Sequence, residues 1–296
     1  MGGKASVDLR QHPGCTWYEN GQSALSGSLL ELFRRFDRLF VEWAKESGAG
    51  EYSFPVFIPA HELAKLDYFG SFPHLVTFPV ALDPEPANLE SFARSFAGPG
   101  APLGPGGAIR LTRPAAIRDV LTPAACYHFY IRFQGETLEA PRVVTTLATC
   151  FRREAHYTPL ERQWSFSMRE IVCIGSEGEV KQFLAKYRES LDAFFRRIGL
   201  PIAWANATDP FFNPSRNPKS IMQRIEPVKT EMVFGGRLAV GSINFHQNYF
   251  GEVFGLRRAG KAAYSGCVAF GLERWISAFL THFGWEQSDW PDIEMT

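Results

Sequence analysis

Residues 151–166 crowd Arg152, Arg153, Glu154, His156, Glu161 and Arg162 into one short stretch and end it with Phe166. Guanidinium groups fork onto phosphate and carboxylate. A carboxylate accepts from an amine, and an aromatic ring offers a flat face to a base. Together these types suit a cradle for an anionic ligand. The plain alternative is the solvated tip of a hairpin, which composition alone favours. Further along, Gly271-Leu272-Glu273-Arg274 stands where a strand pattern gives way to a helix pattern. Backbone N–H groups and the helix dipole face an anion at such a junction, and Arg274 adds a full charge. Taken alone, Glu273-Arg274 is also an ordinary helix-start pair.

The elements that must hold these groups can be read around them. Residues 147–175 read as strand, charged loop, strand. Leu147, Thr149 and Phe151 alternate on the way in, and Phe166, Met168, Glu170 and Val172 share one parity on the way out. After it comes the clearest helix, with Ser176 and Glu179 as a capping box. Its stripe is Val180, Phe183, Leu184, Tyr187, Leu191, Phe194, Phe195 and Ile198, and Gly199 closes it. Its other face carries Lys181, Lys186, Arg188, Arg196 and Arg197. An earlier helix is predicted from Leu29, Leu32, Phe33, Phe36, Leu39, Phe40 and Trp43, started by Ser26 or Ser28 and ended by Gly48. A strand over 52–58 follows, with Pro55 restricting it to an edge or an interface. Residues 121–133 read as a turn and a strand, and 205–220 as a loop. Strands are predicted over 226–234 and 237–245, 251–254 leads toward a last strand, and a helix follows with Trp275, Ile276, Phe279, Leu280 and Phe283. Residues 1–25 form an irregular arm and 98–107 a flexible Gly/Pro link. The order of elements predicts an α+β fold built on an antiparallel sheet, within a single domain over 1–296. No Gly-x-Gly-x-x-Gly or Gly-Lys-Ser/Thr phosphate loop is present.

Composition bounds the function. The chain has 296 residues, 45% of them hydrophobic, enough for a sizeable core. With 31 basic and 31 acidic side chains the net charge is zero, which argues against a broad nucleic-acid-binding surface. There is no apolar run of membrane-spanning length and no apolar core of signal-peptide type at the start. The five cysteines are odd in number and widely spaced, which suits a reducing cytoplasm better than a disulfide framework.

Phe151-Arg152-Arg153-Glu154 matches the Phe-Arg-x-Glu signature of motif 2 in class II aminoacyl-tRNA synthetases, and Gly271-Leu272-Glu273-Arg274 matches motif 3. The return strand, Glu170-Ile171-Val172-Cys173-Ile174-Gly175, and the run Tyr68-Phe69-Gly70-Ser71-Phe72-Pro73-His74 resemble one branch, the atypical zinc-dependent seryl-tRNA synthetases. Their short relatives, the amino acid:[carrier protein] ligases, share the pattern, and the chain most resembles these. The early helix and proline-bearing strand have the form of motif 1, which implies a homodimer.

Carried over, the resemblance implies that Arg152 clamps the α-phosphate and the incoming carboxylate, and that Glu154 accepts from the adenine amine. Phe166 and Arg274 stack on opposite faces of the adenine, with Arg274 also reaching the γ-phosphate of ATP. Arg162 and Gln163 belong to the loop near the phosphates. Lys229 and Glu231 line the nucleotide and magnesium site, and Ser242 and Asn244 face the substrate. Ala239 replaces a glutamate of ordinary seryl enzymes, which puts the number of magnesium ions in doubt. No spacing rule groups Cys126, Glu170 and Cys267, yet all three fall on the zinc-ligand positions of the seryl branch. Three protein ligands leave a place open, as in catalytic zinc sites, where the α-amino group of an amino acid can bind. Cys150 and Cys173 read as core. His128, His156, His246 and His282 read as satisfied polar or core histidines before metal ligands.

The implied reaction is ATP-dependent activation of a small amino acid, glycine or alanine, to an aminoacyl adenylate. Transfer to the phosphopantetheine thiol of a small acidic carrier protein follows. The motifs cover about residues 27–285, leaving little room for an appended tRNA-binding domain, and the basic face of helix 177–198 offers a landing strip for the carrier. Two alternatives stand beside this: a truncated seryl enzyme acylating tRNA, and a non-catalytic synthetase-like binding protein. The second is weakened by the presence of every motif arginine.

Overall fold

The computed structural model describes residues 8–97, 103–225 and 227–294. Part of the expected arm (1–7) and part of the Gly/Pro link (98–102) lie outside the described residues. In chain order, a 3-10 turn (Leu9–Gln11) precedes a hairpin of β1 (Cys15–Tyr18) and β2 (Gln22–Leu25). Helix α1 (Gly27–Glu46) leads into β3 (Gly50–Tyr52), β4 (Phe57–Pro59), α2 (Ala60–Lys65), α3 (Tyr68–Ser71) and α4 (Pro86–Ser95). Then come β5 (Asp119–Leu121), α5 (Tyr127–Arg132), β6 (Thr137–Leu138) and the long hairpin of β7 (Arg142–Phe151) and β8 (Ser165–Gly175). The last part runs α6 (Glu177–Ile198), β9 (Ile202–Ala207), α7 (Pro218–Ile225), β10 (Lys229–Phe234), β11 (Leu238–Phe245) and α8 (Tyr249–Phe254). It closes with β12 (Arg257–Arg258), β13 (Lys261–Ala262), β14 (Tyr264–Gly271) and α9 (Leu272–Phe283).

Seven strands form the central sheet in the order β3-β7-β8-β14-β11-β10-β9. All neighbours are antiparallel except β3, which lies parallel to β7 at one edge. The two faces of the sheet have different work. Ile171, Cys173, Val268 and Phe270 point to one side and pack under α1, α6 and α9. Val172, Ile174 and Cys267 point to the other and pack with α5 and α8. The alternation of β8 thus sends Phe166, Met168 and Glu170 to the second side, where the open cavity lies.

The first core is aromatic. Phe36 and Phe40 of α1 meet Trp275 of α9 at 5.4 and 5.0 Å, and Phe40 stacks on Phe270 at 4.1 Å. Each such side chain, fully buried, contributes about 1.5–3 kcal/mol, so this cluster fixes where α9 begins relative to β14. Arg169 is 3% exposed in the middle of β8. A buried guanidinium left unpaired would be strongly destabilising. Asp37 of α1 takes it bidentately at 2.6 and 3.1 Å, and Glu51 of β3 accepts at 3.0 Å. The first helix and the edge strand are thereby tied to the strand that carries the site.

Several sequence expectations hold. The stripe of α1 is buried at Leu29, Leu32, Phe36, Leu39, Phe40 and Trp43, and Ser176 and Glu179 form the capping box of α6. Ser26 is the N-cap of α1 but makes no side-chain cap bond. Others are corrected. The strand over 52–58 is two strands, β3 and β4, in different sheets, because Pro55 has no N–H to continue a ladder. Residues 127–132 are helix, not strand. Cys126, Phe129, Tyr130 and Phe133 are buried at spacings of three and four, a helical period hidden by β-prone aromatics. Residues 251–254 likewise belong to helix α8. The stretch 205–220 includes the end of β9 and the start of α7. The described part of the arm is a 3-10 turn followed by the β1–β2 hairpin, ordered structure where irregular chain was expected.

Candidate active site

The charged loop between β7 and β8, the start of α9, strands β10 and β11 and the α3 region enclose a cavity of about 600 Å³. Arg152, Glu154, Arg162, Phe166, Lys229, Glu231, Ser242, Asn244 and Arg274 all line it, as do Cys126, Glu170 and Cys267. The chemistry-bearing side chains of two distant sequence stretches therefore share one space.

Arg274 joins them directly. Its Nε donates to the Glu161 carbonyl in the charged loop at 2.7 Å, and its Nη1 to the Ala239 carbonyl of β11 at 3.0 Å. Burial and the repulsion of Arg152 and Arg162 hold its pKa below the ordinary guanidinium value, and an arginine keeps its charge regardless. Arg152 donates from Nε to the Pro123 carbonyl at 2.9 Å, and its guanidinium lies 5.2 Å from the Phe166 ring centre. Arg162 pairs with Glu154 at 2.7 Å. Three guanidinium groups thus crowd one cavity, with Phe166 beside them. Ala239 lacks the carboxylate expected at its position but serves the site through its carbonyl.

On the β10 side, Lys229 bridges Asp209 at 3.1 Å and Glu231 at 3.4 Å. Asn244 Nδ2 donates to Ser242 Oγ at 3.0 Å and to the Cys267 sulfur at 3.2 Å. Gln163 also lines the cavity. Its amide bonds to Ser23, Leu160 N and the Ser165 carbonyl, so it shapes the loop.

Cys126, Glu170 and Cys267 do converge. All three line the one cavity, near enough for the Glu170 charge to act on both thiols. Glu170 Oε1 also accepts from the backbone N–H of Ala125 at 3.0 Å and of Cys126 at 3.2 Å. The Cys267 thiol, burial and the Glu170 charge raise the Cys126 pKa well above the ordinary thiol value. The Cys126 thiol lowers that of Cys267, but burial and Glu170 outweigh it and leave it raised. Two thiols and a carboxylate are a zinc-type donor set. Among the described residues, however, no three such side chains form a ready metal-binding group.

His128 and His246 have polar partners. His128 bonds to Thr122 Oγ1 at 3.0 Å. His246 Nδ1 meets the Tyr130 hydroxyl at 3.0 Å and Ser265 Oγ at 3.2 Å, while its Nε2 lies 3.6 Å from the Cys267 sulfur. Burial pushes both rings down to about 4, so both are neutral. All five cysteines are free and buried, Cys150 and Cys173 in the core.

Residues 116–283 match the family of class II tRNA synthetase core domains (G, H, P, S and T). An amino acid–[acyl-carrier-protein] ligase of Bradyrhizobium diazoefficiens is 32% identical over 255 residues, covering 83% of this chain and 76% of that protein. A second such ligase from the same organism is 31% identical over 80% of this chain and 71% of its own length. The chain belongs to the amino acid–[acyl-carrier-protein] ligases of the class II synthetase superfamily. As a ligase of this family it is also similar to a type-2 serine–tRNA ligase of Methanococcus maripaludis, 28% identical over 92% of this chain but only 55% of that enzyme. The fold agrees with that of a chain in the crystal structure of A. aeolicus tRNASec in complex with M. kandleri SerRS. There the TM-score is 0.79 at 19% identity, over 94% of this chain and 57% of that one.

Two groups escaped the sequence reading of this ligase. Asp209 lines the cavity. Burial raises its pKa, but Lys229 and Gln223 overcome this and leave it low, hence charged. Its one signal was a lone acid in a turn-rich segment. Glu273 was read as part of the motif 3 match or as half of a helix-start pair, with no role of its own. Both its oxygens face the Ser167 N–H at 2.9 Å, pinning the start of α9 to β8. Burial pushes its carboxyl up to about 7. Since this is above the ordinary value of 4.5, the group's contribution to stability is complete below about pH 4.5 and is lost as pH rises through about 7. Glu273→Gln keeps an acceptor that cannot ionise. The stability lost by the wild-type protein between about pH 5 and about pH 8, on the order of 3 kcal/mol, is therefore expected to shrink in urea unfolding of the variant. Parallel profiles for the two proteins would contradict the burial argument.

Proposed function

We propose that this ligase uses ATP with Mg2+ to activate a small amino acid, glycine or alanine, and passes it to the phosphopantetheine thiol of a carrier protein. The observation that carries the reading is the meeting of Arg152, Arg162 and Arg274 with Glu154 and Phe166 in one cavity. Phosphoryl and nucleotidyl transfer depend on positioning and on stabilising charge in place before reaction. In the first step the amino acid carboxylate attacks the α-phosphorus. An O–P bond forms, the bond to the β-phosphate bridging oxygen breaks, and pyrophosphate leaves with Mg2+. Arg152 stabilises the charge at the α-phosphate, Arg274 holds the distal phosphates, and Glu154 gives up Arg162 to accept from the adenine amine. Lys229 and Glu231 border the phosphates and Mg2+, while Ser242 and Asn244 face the amino acid. In the second step the carrier thiol, losing its proton, attacks the activated carbonyl carbon; the C–O bond to AMP breaks and a thioester forms.

Cys126, Glu170 and Cys267 are zinc-type donors by chemistry, and zinc bound there would hold the substrate's neutral α-amino group. The carrier must approach the cavity mouth. Helix α6 covers the opposite face of the sheet, Arg188 stacks on Trp204 at 3.9 Å, and Arg197 bonds to the Asp292 carbonyl. The landing strip read from its basic face is therefore set aside. The chain, 1–296, acts in this reading as a single catalytic domain.

Amino-acid-dependent exchange of pyrophosphate into ATP is expected with glycine or alanine, and Arg152→Ala or Arg274→Ala should lower it by about 10²–10³-fold. A chelator should abolish exchange and zinc restore it in the wild-type protein but not in Cys126→Ser. Exchange with no amino acid at all, or acylation of bulk tRNA in place of a carrier, would overturn the reading.

A homodimer follows from the same reading. Val56, Phe57, Phe78 and Ile117 are exposed apolar side chains gathered around the β4–β5 pair, and an exposed apolar patch of this kind marks an interaction surface. Light scattering should give twice the chain mass for the wild-type protein and the single-chain mass for Phe57→Glu. A monomeric wild-type protein would refute the dimer.

A further inference from the structure

The tip of the β1–β2 hairpin touches the outer side of the charged loop. The Gly21 carbonyl accepts from Trp164 N at 2.7 Å. Ser23 Oγ donates to Gln163 Oε1 at 2.5 Å, and that same oxygen accepts from Leu160 N at 3.3 Å. Leu160 is fully buried with φ 57, a left-handed conformation that a leucine keeps only where its surroundings hold it. Gly21 has φ +87, and a Cβ there would stand 2.4 Å from the Tyr157 ring. The Tyr157 hydroxyl in turn accepts from Arg153 Nη1 at 2.8 Å and faces the Glu154 N–H at 3.4 Å. Residues 75–77 grip the loop as well: Arg153 N donates to the Leu75 carbonyl at 3.0 Å and Trp164 Nε1 to Thr77 Oγ1 at 2.9 Å. The base of the hairpin is firm, because Cys15 is buried in the aromatic core, Leu25 packs against it, and the neighbouring His12 lies edge-on to Trp285 at 4.9 Å.

We propose that this hairpin is part of the nucleotide site, with Gly21 and Ser23, through Tyr157 and Gln163, as positioning residues that hold the loop so that Glu154 and Arg162 face the cavity. A post with its foot in the core and its tip on the loop keeps the loop's shape without touching the ligand. The loop-bracing half stands on the geometry alone, while the nucleotide half rests on the adenylation reading.

The test uses the full chain with Gly21→Ala, Ser23→Ala, the conservative Ser23→Thr and the exposed control Glu19→Ala. Trypsin cleavage after Arg153 and Arg162, followed without ATP, should be several-fold faster in Gly21→Ala and Ser23→Ala. It should stay at the wild-type rate in Ser23→Thr and Glu19→Ala, with melting temperatures unchanged in these two and in Ser23→Ala, whereas Gly21→Ala, strained at φ +87 against Tyr157, should melt lower. In pyrophosphate exchange the KM for ATP should rise about three- to tenfold in the first two variants, with the KM for the amino acid unchanged. Cleavage at the wild-type rate overturns the proposal. So does a general loss of stability in Ser23→Ala that speeds proteolysis everywhere, or a loosened loop with an unchanged KM for ATP. If Gly21→Ala does not fold, Ser23→Ala alone decides. Exchange absent from the wild-type protein refutes the adenylation reading instead, and the cleavage rates still decide whether the hairpin braces the loop.

Discussion

Three guanidinium groups of like sign face one partly buried cavity, and most of the architecture answers to that. Like charges in such surroundings repel one another more strongly than they would in water, and Arg152 and Arg162 push the Arg274 pKa down. Arg152 and Arg274 are held by main-chain carbonyls of Pro123, Glu161 and Ala239, which accept hydrogen bonds without supplying a full negative charge. Among the described residues Arg162 alone of the three has an ion pair, to Glu154, while Glu231 and Glu154 attract Arg274 from further off. A triphosphate would relieve the repulsion that the fold maintains, so the strained electrostatics become binding energy and then stabilisation of the reacting phosphate.

Keeping those carbonyls in place requires the loop, β11 and the start of α9 to stay in register, and each is fixed from the far side of the sheet. The Phe36–Phe40–Trp275–Phe270 cluster sets the height at which α9 leaves β14. The Arg169–Asp37–Glu51 ion pairs hold α1 and β3 against β8. Glu273 closes the gap between β8 and α9 on the cavity side. One face of the sheet therefore supplies rigidity and the other carries reactive side chains. The even parity of β8 assigns Phe166 and Glu170 to the second face by the same alternation that sends Ile171 and Cys173 to the first.

How much of this the sequence disclosed depends on range. Local periodicity gave α1, α6, the β7–β8 hairpin and the junction before α9, because apolar residues at spacings of three or four, or on one parity, mean one thing in each case. The same reasoning failed at 127–132, where β-prone aromatics stand at helical spacing and packing against α8 decides the matter. The class of the site was legible because Arg152, Glu154, Phe166 and Arg274 sit in short motifs. Asp209, the Gln163–Ser23 contact and the use of Ala239's carbonyl were not legible, since each depends on which strands become neighbours. The grouping of Cys126, Glu170 and Cys267 came only from resemblance; the sheet brings them together because Cys267 and Glu170 lie on adjacent strands β14 and β8, with Cys126 just before the helix above them.

The central claim is that one bent nucleotide bridges the two distant motifs. A crystal structure of the protein with a non-hydrolysable aminoacyl-adenylate analogue tests it most directly. The account predicts the adenine between Phe166 and Arg274, the Glu154 carboxylate at its amine, and the phosphate group against Arg152. An analogue bound outside this cavity, or bound within it with Arg274 still turned to Glu161 and no contact to the base, would contradict it.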